Sequence, residues 1–456
     1  MWSLFRDDLC KNQVYARAML RRHIQSFFLS SLITVATQAF TQTSEPPAAS
    51  IPGKPKISPL STAPDWTKLS ELSGVLTREE FEQAIASIYT DGSKYPVPWR
   101  VEGDAVIIET TPGLAPVRLQ FREFYKKAHA VARYWRTVAE LPPLKPGEPV
   151  LKGLHIALDP GHIGGNWARM EERWLSMHPG EVVMEGGLVL SVAELLKPRL
   201  EALGAQVSLV RTGENPVTTL QPKDLFSAAR EVLAEAGIAK PTESYTDPRD
   251  EARILTVQWQ SEKLFYRVSE IRARARRVNE DLRPDLVLCL HLNAEAWGDP
   301  QKPEFVDKNH FHLLINGCYS AEELRFEDVR YDMLQRLFTK AYEQELAMAE
   351  PVANAMMRST GLPAYAYVNS SSARRVSGNA AVYARNLLAN RLYHCPVLYF
   401  EPYVMNHGQT YRRLLLGHYI GRTLLDGQLV SCPLEDYARG VVNGLVEYYK
   451  SARATH

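Results

Sequence analysis

Short apolar runs that end abruptly in polar residues constrain this chain more than any other feature of its sequence. They read LHIALDP, AQVSLVR, DLVLCLHLNA, HFHLLI and CPVLYFEPY. Stretches with helical spacing lie between some of them, such as the apolar stripe from Leu188 to Leu203, which Gly204 ends. Unbroken apolar strands that alternate with helices are typical of parallel sheets. We therefore predict an α/β fold with a mostly parallel, twisted sheet covered by helices on both faces.

The region before these runs predicts a small α+β unit over residues 67–149. Thr77 and Glu80 form a capping box that starts a helix. AVIIETTPGLAPVRLQF predicts two strands around a turn, and residues 124–141 predict a second helix. The Pro-rich residues 41–66 predict a semi-rigid linker in front of the unit. No pattern in the unit assigns it a role.

The first 40 residues have the pattern of a secretory signal peptide. Arg21 and Arg22 precede a largely apolar segment from Ile24 to Val35, and small residues follow up to Ala39. The alternative is an amphipathic helix of the mature chain. We expect an exported protein, in the periplasm rather than outside the cell, because no anchoring motif or wall-binding repeat is evident. No apolar run reaches the roughly 18 residues of a transmembrane helix.

Charge and cysteine content exclude two classes of function. The chain has 53 Lys and Arg against 52 Asp and Glu, which gives no electrostatic argument for a nucleic-acid partner. None of the five cysteines forms a C-x-x-C pair, which excludes a cysteine zinc ribbon. Cys289 and Cys395 precede sheet segments and are expected to be neighbours. The sequence does not decide whether these two cysteines form a disulfide or are two buried thiols.

Polar residues stand where three predicted strands end, and a fourth stands before a helix. His162 follows the first strand, His291 ends a later one, Glu401 ends the last, and Glu185 precedes the first long helix. Active sites of such sheets lie beyond the carboxyl ends of the strands. Two histidines and one carboxylate can bind a catalytic zinc ion with a position left open for water. The other carboxylate can then transfer protons.

Each of these residues also has a purely structural interpretation. His162 can cap a turn, and His291 can be a satisfied core histidine. Glu185 can stabilise a helix N-terminus through the helix dipole, and Glu401 can form a salt bridge at a strand end. Spacing alone does not identify a metal.

The order of the motifs resembles that of the zinc-dependent N-acetylmuramoyl-L-alanine amidases of the amidase 3 type, which trim the bacterial cell wall. The family's opening D-P-G-H stands at residues 159–162, and its glutamate before the first helix matches Glu185. Its helix and strand ending in S-i-H-a-N-a resemble RARRVNEDLRPDLVLCLHLNA. Its final P-a-v-L-v-E strand resembles CPVLYFEPYVMN. The resemblance spans residues 151–449.

This resemblance implies a function and a role for each site residue. The catalytic domain would cover residues 150–452, with insertions near 213–263 and 316–349. It would hydrolyse the amide bond between N-acetylmuramic acid and L-alanine in peptidoglycan, for wall remodelling or daughter-cell separation. By this resemblance, the zinc ligands would be His162, Glu185 and His291. Glu401 would be the catalytic base, and Arg385 and Asn293 would contact the substrate.

The sequence departs from the family pattern in ways that keep alternatives open. Gly186 stands where the family usually has lysine, and Pro402 follows the proposed base. The rival ligands near Glu185 are Glu171, Glu172, Glu181 and His178. A non-catalytic wall-binding relative and a zinc hydrolase of another amide or peptide are the alternative functions.

The second insertion has two interpretations of its own. It can hold an inhibitory helix that covers the metal until an activator protein removes it. The residues expected to reach the metal in that case are Glu322, Glu323 and Glu327. The other interpretation is a surface helix that only shapes the substrate groove.

Overall fold

The structure is a computed structural model that describes residues 56–91, 97–123, 126–129, 131–248, 250–296, 303–368 and 370–454. The predicted signal peptide and residues 41–55 of the predicted linker lie outside these ranges, and their assignment stays a prediction. The described strands are β1 (Trp99–Glu102), β2 (Ala105–Ile108), β3 (Val117–Gln120), β4 (His155–Pro160), β5 (Trp174–Leu175), β6 (Val183–Met184), β7 (Gln206–Leu209), β8 (Leu286–Leu290), β9 (Phe311–Ile315), β10 (Arg374–Arg375), β11 (Val382–Ala384), β12 (Val397–Pro402), β13 (Arg422–Leu425) and β14 (Gln428–Ser431).

Within the described ranges, seven strands form one sheet in the order β10-β11-β9-β12-β8-β4-β7. The pairs β7–β4, β4–β8, β8–β12 and β9–β11 are parallel. The pairs β12–β9 and β11–β10 are antiparallel. The mostly parallel α/β sheet is therefore confirmed, and the run HFHLLI enters it as the antiparallel strand β9.

Helices cover both faces of this sheet, as predicted. The α-helices are α1 (Arg78–Ala84), α2 (Glu185–Ala202), α3 (Phe226–Glu235), α4 (Val257–Leu264), α5 (Glu270–Arg276), α6 (Ala321–Leu324), α7 (Glu327–Phe338), α8 (Ala341–Thr360), α9 (Leu388–Leu392), α10 (Gly408–Leu415) and α11 (Pro433–Ala454). Side chains of β8 alternate between two buried cores: Leu288 packs with α2, α8 and α11, and Val287 packs with α5 and α9. This alternation explains why β8 is apolar at every position.

The small N-terminal unit forms as predicted in its first half. Thr77 and Glu80 make the capping box of α1, and β2 and β3 pair around a turn with Ile108 opposite Val117. The predicted helix over residues 124–141 is wrong in its described part, where only the 3-10 turn Val138–Glu140 forms. Trp135 is buried against the main sheet, and Arg136 binds Asp285, so tertiary contacts override the local helical pattern.

The two insertions are built into the fold. Residues 213–263 contribute α3 and α4, which pack around a small apolar core with Leu233 and Phe265. Helix α7 of the second insertion buries Met333 and Leu337 in the main core, so the prediction of a surface helix is wrong. The described cysteines are all free and buried, so Cys289 and Cys395 are two buried thiols and do not form a disulfide. Searching the described residues finds no helix long and apolar enough to cross a membrane.

Candidate metal centre

Three neighbouring parallel strands bring the predicted site residues to one edge of the sheet. Leu290 of β8 lies beside Pro160 of β4 on one side and Phe400 of β12 on the other. His291 and Glu401 directly follow Leu290 and Phe400, and His162 lies two residues beyond Pro160. His162, His291 and Glu401 therefore share the carboxyl edge of the sheet, where active sites of such folds lie.

The side chains of His162, Glu185 and His291 converge on one point. Nε2 of His162 lies 3.2 Å from Oε2 of Glu185, and Nδ1 of His291 lies 3.1 Å from Oε1 of Glu185. One ligand atom from each residue lies within 4.8 Å of the others, so the three residues can hold a metal ion. Within the described ranges, these three residues form the one group of His, Cys, Asp or Glu side chains that is close enough together to hold a metal ion.

Gly161 and His162 have unusual backbone requirements. A Cβ atom on Gly161 would lie 2.2 Å from the ring of His291, so only glycine leaves room for that imidazole. The ring of His291 stacks on Tyr399 with centroids 4.3 Å apart. His162 has a φ of 55°, a left-handed conformation that is uncommon outside glycine. Sparsely populated conformations of this kind cluster at functional sites.

Two buried arginines fix the loop that carries His162, which we call the His162 loop (residues 159–164). Arg274 donates to Asp159 at 2.9 Å, to the carbonyl of Pro160 at 2.7 Å and to the carbonyl of His162 at 2.6 Å. Arg211 donates to the carbonyl of Gly161 at 3.3 Å. Each carbonyl from Pro160 to His162 thus has a charged donor, which satisfies groups that leave the sheet's ladder.

The rival carboxylates have other partners. Glu171 accepts hydrogen bonds from the backbone N–H groups of Ile163 and Gly164, and its Oε1 lies 3.6 Å from Nδ1 of His162. A carboxylate beside the second ring nitrogen of a histidine can fix the orientation of that imidazole in a metal site. Glu172 pairs with Lys263 and Arg253, and Glu181 is exposed. The rival residues Glu171, Glu172, Glu181 and His178 lie outside the cluster.

The protonation states of the cluster suit a divalent cation. Burial holds the pKa of His162 well below its usual value, against the attraction of Glu185, so the imidazole is neutral at pH 7. Burial opposes ionisation of Glu185, but the hydrogen bond from His291 and the charge of Arg173 hold its pKa below its usual value. A neutral imidazole and an ionised carboxylate are the forms that bind metals.

The distances between donor atoms also fit zinc. Two atoms that each lie about 2 Å from a tetrahedral zinc ion are separated by about 3.3 Å. Each histidine has this separation from its own oxygen of Glu185, 3.2 Å from His162 to Oε2 and 3.1 Å from His291 to Oε1, and one ligand atom from each of the three residues lies within 4.8 Å of the others. Three nitrogen and oxygen donors of this kind are typical of catalytic zinc sites. The residues present therefore fit the ion that the sequence resemblance implies.

A departure from the family pattern has a steric reason. A Cβ atom on Gly186 would lie 2.5 Å from the backbone nitrogen of Gly164, because the start of α2 packs directly on the His162 loop. A lysine has no space there. The sequence IGGN after D-P-G-H brings this loop close to the helix.

The opposite flank of the site, which we call the Glu401 side, comprises His312, Tyr367, Arg385 and Glu401. His312 lies directly opposite Glu401 in the β9–β12 ladder. The hydroxyl of Tyr367 lies 3.2 Å from Nε2 of His312 and accepts from Arg385 at 3.3 Å. Burial and the charge of Glu185 raise the pKa of Glu401 well above its usual value, while Arg173 and Arg385 oppose the rise.

The remaining predicted residues do not reach the cluster. The side chain of Asn293 accepts from the backbone N–H of Ala294, just beyond β8. Glu322 pairs with Arg325, Glu323 accepts from Asn386, and Glu327 accepts from Thr111 of the N-terminal unit. The prediction that one of these three glutamates reaches the metal is therefore wrong.

Sequence reasoning missed Arg173, His312 and Tyr367. The register of β5 and β6, with Trp174 opposite Met184, places Arg173 beside Glu185, but these two-residue strands have no sequence signature. His312 was visible only as a histidine within an apolar run. No signal in the sequence distinguishes Tyr367.

No family model and no curated protein matches the chain. Several solved structures are similar to it. Ami1 of Mycobacterium abscessus, an N-acetylmuramyl-L-alanine amidase, shares 16% identity with a TM-score of 0.34 over 65% of this chain and 99% of its own. AmiC2 of Nostoc punctiforme, an N-acetylmuramoyl-L-alanine amidase, shares 12% identity with a TM-score of 0.33 over 67% and 99%.

A third similar structure is the CwlD amidase of Clostridioides difficile in complex with the GerS lipoprotein. It shares 12% identity with a TM-score of 0.35 over 65% of this chain and 99% of its own. The family that the sequence motifs resemble and the proteins of these structures are both amidases. At such low values the likeness does not extend to function.

Proposed function

We propose that this protein is a zinc-dependent N-acetylmuramoyl-L-alanine amidase that acts on bacterial peptidoglycan. The proposal is carried by the convergence of His162, Glu185 and His291 beside Glu401, at the positions of the motifs that resemble this family. The donor set, its protonation and its spacing all suit a catalytic zinc ion.

Each side chain of the site then has a chemical task. His162, Glu185 and His291 would hold zinc, which supplies the Lewis acidity that activates water and polarises an amide carbonyl. Glu401 accepts the proton of the attacking water and delivers it to the departing nitrogen of L-alanine. Its place at the carboxyl edge of the sheet, one residue beyond Phe400 of β12, supports this task. Arg385 orients the substrate beside Glu401.

Digestion of purified peptidoglycan tests the proposal, with products identified by mass spectrometry. The expected product is a stem peptide with a free L-alanine amine. Chelation should abolish its release, and Glu401→Gln should reduce the rate by about 100-fold or more while zinc still binds. Glu322→Gln is the matched control, because this carboxylate is exposed and pairs only on its own helix turn.

The outcomes separate the alternatives. A wild type that binds zinc and releases no stem peptide would exclude an amidase that works without its activator, and cleavage of another amide by that protein would favour the alternative hydrolase. A folded wild type that binds no zinc would favour a wall-binding relative. Full activity of Glu401→Gln would remove Glu401 from the mechanism.

Location and partner protein belong to the same proposal. We propose export to the periplasm through the signal pattern in residues 1–40, a role in wall remodelling or daughter-cell separation, and an activator protein. Helix α7 belongs to the core, so such an activator would act elsewhere than on this helix. Sequencing the N-terminus of the protein from periplasmic and cytoplasmic fractions tests export. A cytoplasmic chain that keeps residues 1–40 would contradict it.

A further inference from the structure

Arg173 contacts the same atoms that are suited to bind the metal. Its Nε–H lies 3.1 Å from Oε2 of Glu185 and donates to Nε2 of His162 at 3.3 Å. These are the two donor atoms that face each other at 3.2 Å in the cluster. A permanently charged guanidinium is thus directed at the ligand set from one side.

The backbone holds Arg173 in this position. The antiparallel pair β5–β6 places Trp174 opposite Met184, directly before Glu185, and Glu185 N–H donates to the carbonyl of Arg173 at 3.3 Å. The preceding residue, Glu172, is tied to Arg253 at 3.1 Å. The contact therefore follows from the local fold rather than from a free surface side chain.

Hydrogen-bonding capacity makes this contact incompatible with metal binding. A neutral imidazole has one acceptor nitrogen, so the lone pair of His162 Nε2 cannot accept from Arg173 and bind a metal ion together. A dication at the cluster would also repel the guanidinium at a few ångströms. The side chain of Arg173 is 31% exposed, which leaves it a path toward solvent.

We propose that Arg173 is a cationic clamp that competes with the metal ion. It holds His162 and Glu185 together and compensates the buried carboxylate until a divalent cation displaces it. The competition weakens metal affinity and keeps the metal-free site folded. This inference rests on the proposed metal site, but not on the identity of the substrate.

Zinc titration against a chelating competitor, together with thermal unfolding with and without zinc, tests the clamp. Arg173→Ala should bind zinc about 10- to 100-fold more tightly, the range that corresponds to a hydrogen bond with a charged group. Its metal-free form should melt below the wild type, because Glu185 loses a compensating charge, and zinc should largely restore the melting temperature. Arg173→Gln keeps a hydrogen-bond donor, so its zinc affinity and melting temperature should lie between those of the wild type and Arg173→Ala. This second variant keeps the test valid if Arg173→Ala does not fold.

Arg169→Ala is the matched control, because Arg169 lies on the same segment and contacts the ring of Trp174 rather than the cluster. It should leave zinc affinity unchanged. Unchanged or weaker zinc binding by both Arg173 variants would overturn the clamp, and if the wild type still cleaves peptidoglycan the proposed function stands. If neither the wild type nor the variants bind zinc, the clamp and the proposed function both fail.

Discussion

The His162 loop and the Glu401 side flank the same site but are held in different ways. Arg274 and Arg211 bind the carbonyl groups of the loop, and Glu171 binds its N–H groups. On the Glu401 side, the hydroxyl of Tyr367 links His312 to Arg385 through one hydrogen bond to each. Within the part of the chain that the structure describes, Nδ1 of His312 is buried without a hydrogen-bond partner.

This difference separates two requirements of the site. Ligand atoms must be positioned closely before a metal binds, so the loop is restrained from several directions. The Glu401 side must receive a substrate and move protons, and among the described residues the Nδ1 atom of His312 there has no hydrogen-bond partner. Changes in the loop should therefore alter stability and metal binding together, whereas changes on the Glu401 side should alter catalysis alone.

Removing Arg274 should have the largest effect. Arg274→Ala removes the cation that pairs with the buried carboxylates of Asp159 and Glu270, and it takes the arginine donor from the carbonyl of His162. Breaking a buried ion pair from one side costs about 3–5 kcal/mol. Denaturant unfolding should show this loss, and zinc affinity should fall with it. Arg276 lies on the same helix but is exposed, so Arg276→Ala should leave stability and zinc affinity unchanged. An Arg274 variant as stable as the wild type would mean that Arg274 does not restrain the His162 loop.

A single added methyl group at Gly161 should displace the ring of His291 from the cluster. Gly161→Ala places a Cβ atom 2.2 Å from the His291 ring, which must move off Tyr399. Overpacking of this kind costs about 1–3 kcal/mol, and the displaced ligand should weaken zinc binding. Gly213→Ala is the control, since a Cβ atom there has open space. Unchanged zinc affinity in Gly161→Ala would show that His291 is not a ligand.

The same contrast explains what could be predicted from the sequence. Strands β4, β8 and β12 each contain a short apolar run that ends in polar residues, so the positions of His162, His291 and Glu401 follow from local pattern. The restraints could not be predicted, because they join distant positions: Arg274 pairs with Asp159 across 115 residues of sequence. Residues 131–137 have helical spacing, yet the burial of Trp135 decides their conformation.

On the Glu401 side, removing one hydroxyl should change catalysis with little change in stability. Tyr367→Phe disconnects Arg385 from His312. A neutral hydrogen bond contributes about 1 kcal/mol to stability, and zinc affinity should not change. We expect kcat to fall by about tenfold while KM changes less. Tyr365→Phe removes a neighbouring hydroxyl for which the described residues show no hydrogen bond and should be near neutral; equal losses in both variants would remove any special role of Tyr367.

The smallest expected effect is a shift in pH dependence. Burial and Glu185 raise the pKa of Glu401, and the cation of Arg385 opposes that rise. Arg385→Gln removes a positive charge, so the pKa of Glu401 should rise further. A base must be ionised to accept a proton, so the acid limb of the kcat profile should move to higher pH. The free energy of unfolding should change less than in Arg274→Ala, because Arg385 does not restrain the His162 loop.

The plateau rate distinguishes this electrostatic role from direct substrate contact. If Arg385 acts on Glu401 only through its charge, kcat at high pH should approach the wild-type value once Glu401 is ionised. If Arg385 binds substrate, KM should rise at every pH. An acid limb that stays in place would mean that Glu401 does not control it. The Glu401 side would then lose the property that sets it apart from the restrained His162 loop, because the ionisation of its carboxylate would have no kinetic consequence.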